Sequence, residues 1–126
     1  AAGFTAALDF LEGVTPERLR YHEREIARYA LERLEGLGGL ALIGPRDPEL
    51  RGGLVSFTDA AVHPLDLVTF LDQEGIALRA GHHCAQPLHR ALGLAATVRG
   101  YVGAYTDKDD IDALVDGIRG AREYFA

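Results

Sequence analysis

The chain has 126 residues, 48% of them hydrophobic and 25% charged, and a formal net charge of −6 at pH 7. That length suits a single domain, residues 1–126, with a core of its own. No apolar run approaches the ~20 residues of a membrane span, and the acidic balance argues against a nucleic-acid surface. The only cysteine, Cys84, cannot close an internal disulfide, so a reducing, cytoplasmic setting is expected. The chain opens Ala1-Ala2-Gly3 rather than with Met, which reads as a processed or excised segment.

Phe4 to Leu11 is predicted as a short apolar helix ended by Gly13. Thr15-Pro16-Glu17 opens a longer helix, with Thr15 as N-cap and Pro16 in the first position. Leu19, Ile26, Ala30 and Leu34 recur at helical spacing and give it one buried stripe. Gly36, Gly38 and Gly39 stop it. Leu40 to Ile43 reads as a short buried strand, and Gly44 to Pro48 as a turn-rich loop. Leu54 to Thr58 alternates apolar and polar residues, as a half-buried strand does. His63-Pro64 leads into a helix through Leu65, Val68, Leu71 and Glu74, closed by Gly75. Ile76 to Arg79 is predicted as a strand, Pro87 to Leu92 as one or two helical turns, and Thr97 to Val102 as another strand. Asp107 or Thr106 caps a last helix with Ile111, Leu114, Val115, Ile118 and Tyr124 on its apolar face. This mixed order implies an α+β fold, a small antiparallel or mixed sheet with helices packed on one face.

The chemistry concentrates in Arg79-Ala80-Gly81-His82-His83-Cys84-Ala85-Gln86-Pro87. A thiol reacts as the thiolate, and cationic neighbours favour that form. The polar, Gly-punctuated flanks are poor core material, so Cys84 reads as a reactive thiol on a loop rather than as an inert buried one. Gly81 permits a backbone angle that a β-carbon would forbid. If their two strands share a sheet, Arg79 and Arg99 can both point towards this loop, and a guanidinium fork matches a carboxylate. The ordinary alternative for each arginine is a surface ion pair. His82 and His83 support the loop or are simply exposed. A metal site with Cys84 and His89 has the wrong spacing for the common structural zinc patterns. A Cys–His nucleophile pair lacks a third, orienting group. Tyr101 and Tyr105 read as packing residues with a hydrogen-bonding tip. Among twelve arginines there is one lysine, Lys108. It sits in an acidic helix start, where a solvated amine is not set up for Schiff-base chemistry.

The nine-residue motif, followed fifteen residues after Cys84 by Arg99 in a strand and then by an acid-capped terminal helix, resembles the C-terminal part of Suf-type cysteine desulfurases. These are pyridoxal-phosphate enzymes of the class V aminotransferase group. The resemblance runs through essentially the whole chain and implies the small domain of fold-type I pyridoxal-phosphate enzymes, with residues 1–14 as a helix leading in from a missing large domain. It further implies that Cys84 forms a persulfide, that Arg99 binds the substrate carboxylate, and that Arg79 stands beside the active-site loop. The implied reaction takes sulfur from L-cysteine, leaving L-alanine, and passes it to a Suf-type acceptor protein for iron–sulfur cluster assembly. Related enzymes also act on L-selenocysteine, and the full-length family is homodimeric. Where the family commonly has small residues after the substrate arginine, this chain has Gly100-Tyr101. The cofactor lysine of the family lies in the missing large domain, so this chain is expected to bind no pyridoxal phosphate and to be inactive alone. A free-standing persulfide carrier or binding module, and an adaptor that keeps the motif without activity, are the competing expectations.

Overall fold

The computed structural model describes all residues from Ala1 to Ala126. Two helices come first, α1 (Ala2–Val14) and α2 (Pro16–Leu37). They are followed by strand β1 (Leu40–Ile43), a 3-10 turn at Pro48–Leu50, and strand β2 (Leu54–Asp59). Helix α3 (Pro64–Gln73), strand β3 (Arg79–Gly81), helix α4 (Gln86–Leu92), strand β4 (Thr97–Tyr101) and helix α5 (Lys108–Tyr124) complete the chain. The four strands form one open sheet in the order β1-β2-β4-β3, and every neighbouring pair is antiparallel. The α+β expectation therefore holds, with the antiparallel form of its two alternatives.

Period-two alternation decides what each sheet face carries. Leu42, Val55, Phe57 and Val98 point to one face and are buried there with Ile26, Ala30 and Leu34 of α2, Leu67 and Leu71 of α3, and Ile111, Val115 and Ile118 of α5. Burying each such side chain contributes about 1.5–3 kcal/mol. The opposite face carries Ser56, Thr97, Arg99 and Tyr101. The short α4 borders that face at one end, where Leu88, His89 and Leu92 share a cleft with Ser56, Thr97 and Arg99, and Tyr101 at the other end lines a cleft with Phe10 and Leu11 of α1.

Local chemistry explains most of the element ends. His63 Nδ1 accepts from Leu65 N–H and Pro64 follows at the first helical position, so this dipeptide starts α3. Asp107, not Thr106, caps α5, and a capping box pairs it with Asp110. The Thr106 hydroxyl instead accepts from Gly103 N–H. Gly53 is where only glycine fits, because Val102 N–H donates to its carbonyl at 2.6 Å and an added Cβ would meet the Val102 carbonyl oxygen at 2.3 Å.

Several expectations shift. Residue 15 joins α1 to α2 with φ 71° and makes no side-chain cap. The first helix is longer than its apolar core and buries none of its residues. The strand expected over Ile76–Arg79 begins only at Arg79, because Ile76 N–H is taken by Leu71 O in closing α3. Tyr124 is exposed on α5, and Ala121 takes the buried position in its place. Leu19, expected on the buried stripe of α2, is only half-buried, because the core begins further along the helix at Ile26.

Asp59 ties the far end of the sheet to the helices. One carboxylate oxygen accepts from Ala61 and Val62 N–H, the other from Arg122 Nε at 2.8 Å. Arg122 also donates to Gly38 O, so one buried carboxylate links β2, α5 and the end of α2. Replacing Asp59 with Ala leaves the guanidinium and two N–H groups without their acceptor. We expect a loss of about 3 kcal/mol, read as a lower urea midpoint at unchanged slope.

Candidate active site around Cys84

The site is assembled at the β3–β4 edge. Arg79 lies directly opposite Arg99, and Gly81 opposite Thr97. Directly opposed residues project on the same side of a sheet, and Val98 between Thr97 and Arg99 faces the core. Arg79, Arg99 and Thr97 therefore share the face away from the large helices. The two guanidinium groups stand side by side with neither an ion pair nor a hydrogen bond, whereas all six ion pairs of the chain use other arginines. The surface-ion-pair alternative is thus not met at either position. Like charges opposed on a sheet repel, so an unneutralised pair is a place where an anion gains two partners.

Arg99 borders two clefts. An open one of about 570 Å³ is lined by Leu54, Ala77, Leu78, Arg79, Arg99 and Tyr101. A narrower one of about 190 Å³ runs between Arg99, Ser56 and His83 on one side and Leu88, Leu92 and Leu94 on the other. A further cleft of about 320 Å³ between residues 74–78 and α5 shares no residue with the cysteine turn. Tyr101 is 65% exposed and its hydroxyl donates to Glu23 at 3.2 Å. Burial, then the Glu23 charge, push its hydroxyl to a higher pKa than the ordinary phenol. Tyr105 stacks on Phe10, ring centroids 5.6 Å apart. Tyr101 thus uses its hydroxyl tip and Tyr105 its ring, each half of what was expected, and neither is buried.

Beyond Gly81, which has φ 123°, the chain reverses in a tight turn closed by Ala85 N–H donating to His82 O at 2.8 Å. Its two central residues, His83 and Cys84, have φ 52° and 60°. Positive φ at both centres is the geometry of a mirror-image turn, usually occupied by Asn and Gly. For His and Cys it costs about 1–2 kcal/mol each. Strain of this kind persists where surrounding contacts over-determine it, and such places cluster at functional sites. The turn leaves Cys84 exposed.

His83 is the anchor. Its Nε2 lies 3.1 Å from both the carbonyl oxygen and the hydroxyl of Thr97. Burial lowers its pKa below the ordinary imidazole value, the Thr97 carbonyl opposes this, and Arg99, His89 and Arg79 add to the lowering. The guanidinium pair is therefore felt electrostatically one residue from Cys84. His82 is exposed and packs edge-on against His89, ring centroids 5.2 Å apart. No group of three or more His, Cys, Asp or Glu side chains is placed to hold a metal ion.

Thr97 and His89 were not expected as site residues. The signal lay in spacing: Thr97 is two residues before Arg99, hence on the same strand face, and His89 is on the first turns after Cys84. What spacing could not supply was the curl of the turn that brings His83 back onto Thr97.

Comparison with known proteins places the chain in a family. The family model described as aminotransferase class-V matches residues 1–114, and the chain belongs to that family. A probable cysteine desulfurase of Halalkalibacterium halodurans is 49% identical over 99% of the chain, which corresponds to 30% of that protein. Among solved structures, the cysteine desulfurase CsdA from Escherichia coli, in an S-sulfonic acid form, is 36% identical with a TM-score of 0.87, covering 98% of this chain and 30% of that one. Apo cysteine desulfurase from Thermococcus onnurineus NA1 superposes with a TM-score of 0.90 at 28% identity, over 97% of this chain and 30% of that one. The chain thus spans about 30% of the length of the relatives it matches.

Pyridoxal phosphate, the cofactor this family implies, does not fit the residues of this chain. An aldehyde of that kind is held through a lysine amine. The single lysine, Lys108, opens α5 beside Asp107, Asp109 and Asp110, with its Nζ over the Tyr29 ring at 5.2 Å. It lines neither cleft that Arg99 borders.

The His83 environment has a sign that stability measurements can read. Its proton binds more weakly in the folded chain than in the unfolded one, so the unfolded state takes up the proton first on acidification. Stability is fully present above the free imidazole range and is lost as pH falls through it. Thermal midpoints from about pH 7.5 to about pH 5 are expected to decline with acid, and His83→Gln to flatten that decline.

Proposed function

We propose that this chain is the C-terminal, sulfur-accepting part of a cysteine desulfurase, with Cys84 as the residue that carries the sulfur. The observation that carries the reading is the exposed Cys84 on a strained turn beside two arginines without counter-ions. The cysteine desulfurase relatives support it, as does the bare apolar face of α1, where Phe4, Leu8 and Leu11 are exposed. That face suits a helix packed against the remainder of a longer protein, so residues 1–14 lead in from a large domain and residues 15–126 form the small one.

In this reading Arg99 grips the carboxylate of L-cysteine through its fork, and Arg79 adds a second fixed positive charge. The thiolate of Cys84 forms an S–S bond with the substrate sulfur as the substrate Cβ–S bond breaks. The bonding pair stays on carbon, which takes up a proton to leave L-alanine, and Cys84 is left as a persulfide. A thiolate of an acceptor protein of the Suf type then attacks the outer sulfur and restores the Cys84 thiolate, supplying iron–sulfur cluster assembly. The amine that holds pyridoxal phosphate belongs to the part of the protein outside this chain, and the 126 residues alone turn nothing over. The full-length protein is a cytoplasmic homodimer in this account, and L-selenocysteine is a second candidate substrate.

Three measurements on the full-length protein test it. Cys84→Ala is expected to lose sulfur transfer and the gain of one sulfur atom that mass spectrometry detects after incubation with L-cysteine. A persulfide retained elsewhere with normal turnover overturns the reading. Arg99→Gln is expected to raise KM for L-cysteine by about a hundredfold, the loss of a charge-assisted bidentate contact. Lys108→Ala is expected to leave the bound pyridoxal phosphate content unchanged.

A further inference from the structure

Three polar contacts link the turn of Cys84 to two buried residues and a fourth joins the side chains of those residues to each other, and their directions come from donor chemistry. The Thr97 carbonyl oxygen only accepts, so His83 carries its ring proton on Nε2, 3.1 Å away. The Ala85 carbonyl oxygen only accepts as well, so His89 carries a proton on Nδ1, also 3.1 Å away. In a neutral ring His89 Nε2 then accepts, and the Thr97 hydroxyl at 3.1 Å donates to it. The lone pairs of that hydroxyl face His83 Nε2–H at 3.1 Å.

The relay runs from His83 to Thr97, from Thr97 to His89, and from His89 to Ala85. It starts on the residue before Cys84 and ends on the residue after it. Thr97 is 3% and His89 6% exposed, so water does not compete for these bonds. A turn with two left-handed non-glycine residues relaxes unless it is held from more than one side. Its backbone bond from Ala85 to His82 holds one side, and the side-chain relay holds the other.

We propose that Thr97 and His89 are positioning residues for Cys84: acting through His83, they keep its turn left-handed and its thiol presented outwards. Neither touches the reacting sulfur. The proposal goes beyond the sulfur-acceptor reading and rests on it only for the kinetic half of its test.

The test uses the full-length protein. Thr97→Val removes the hydroxyl and keeps the side-chain shape, Thr97→Ser keeps the hydroxyl, and His89→Leu removes the far end of the relay while filling its buried position. Alkylation of Cys84 by iodoacetamide at neutral pH, followed by mass, needs neither cofactor nor turnover. It is expected to slow about threefold or more in Thr97→Val and in His89→Leu, and to run at the wild-type rate in Thr97→Ser. Desulfurase kcat is expected to fall about tenfold in Thr97→Val with KM for L-cysteine within about twofold, because Arg99 is untouched, and to recover in Thr97→Ser. Wild-type alkylation rates in Thr97→Val and His89→Leu overturn the proposal, and so does a slowing that Thr97→Ser shares. Should Thr97→Val fail to fold, His89→Leu and Thr97→Ser decide the matter by the same readouts. An inactive wild-type protein defeats the sulfur-acceptor reading, while the alkylation rates still judge the relay.

Discussion

The register between β3 and β4 is the constraint on which the site depends. With Arg79 opposite Arg99 and Gly81 opposite Thr97, alternation leaves no freedom about which side chains meet. Val98 goes to the core, and Thr97 and Arg99 go to the other face. A slip of one residue would bury a guanidinium among Phe57, Leu71 and Ile118 and expose Val98. Burying an unpaired charge costs several kcal/mol, so the hydrophobic core itself polices the placement of the two arginines. The chemistry-bearing face is accurate because the opposite face of the same strand cannot tolerate error.

Register alone does not present a thiol. β3 has three residues and would by itself be a weak edge. The turn after this strand works against the preferences of its central residues, and the penalty of about 1–2 kcal/mol for each left-handed position is offset by contacts outside the turn. His83 meets Thr97 on β4, and His89 on α4 meets both Thr97 and the end of the turn. Strand, turn and helix are thereby closed into one hydrogen-bonded unit. Cys84 sits at the exposed point of that unit, with no hydrogen bond to its side chain, which is the placement the proposed sulfur-accepting role requires.

Most of this was legible wherever it depended on periodicity or on local capping. The stripes of α2 and α5, the alternation of β2, the His63-Pro64 start and the Asp107 cap all stem from residue spacing and short-range hydrogen bonds. The motif around Cys84 and the outward arginines were legible too, because a lone cysteine among cations and glycines is poor core material. The misses have tertiary causes. Tyr124 has the spacing of an apolar face, but α5 outruns the core it packs on, and Phe70 and Phe125 give the ring a surface cluster instead. Ile76 to Leu78 has strand composition, but its first N–H is used to close α3. The relay through Thr97 and His89 joins residues in three elements, and no local pattern records that a tight left-handed turn will fold His83 back onto β4.

The choice of arginine at both outward positions has its own logic. In the proposed reaction a group beside Cys84 must keep its charge, and it must not compete with Cys84 as a nucleophile. A lysine ammonium satisfies neither demand reliably, because proximity and desolvation readily lower its pKa and free an amine. A guanidinium stays protonated throughout the accessible pH range and presents a fixed fork that matches a carboxylate. The six ion pairs that neutralise other arginines show that carboxylates are plentiful on this surface. Arg79 and Arg99 are nevertheless left without one, and repulsion between the opposed pair is relieved when an anion enters. The same two groups that make this edge electrostatically unfavourable by itself make it favourable with an anion bound, so the differential falls on binding an anionic compound next to Cys84.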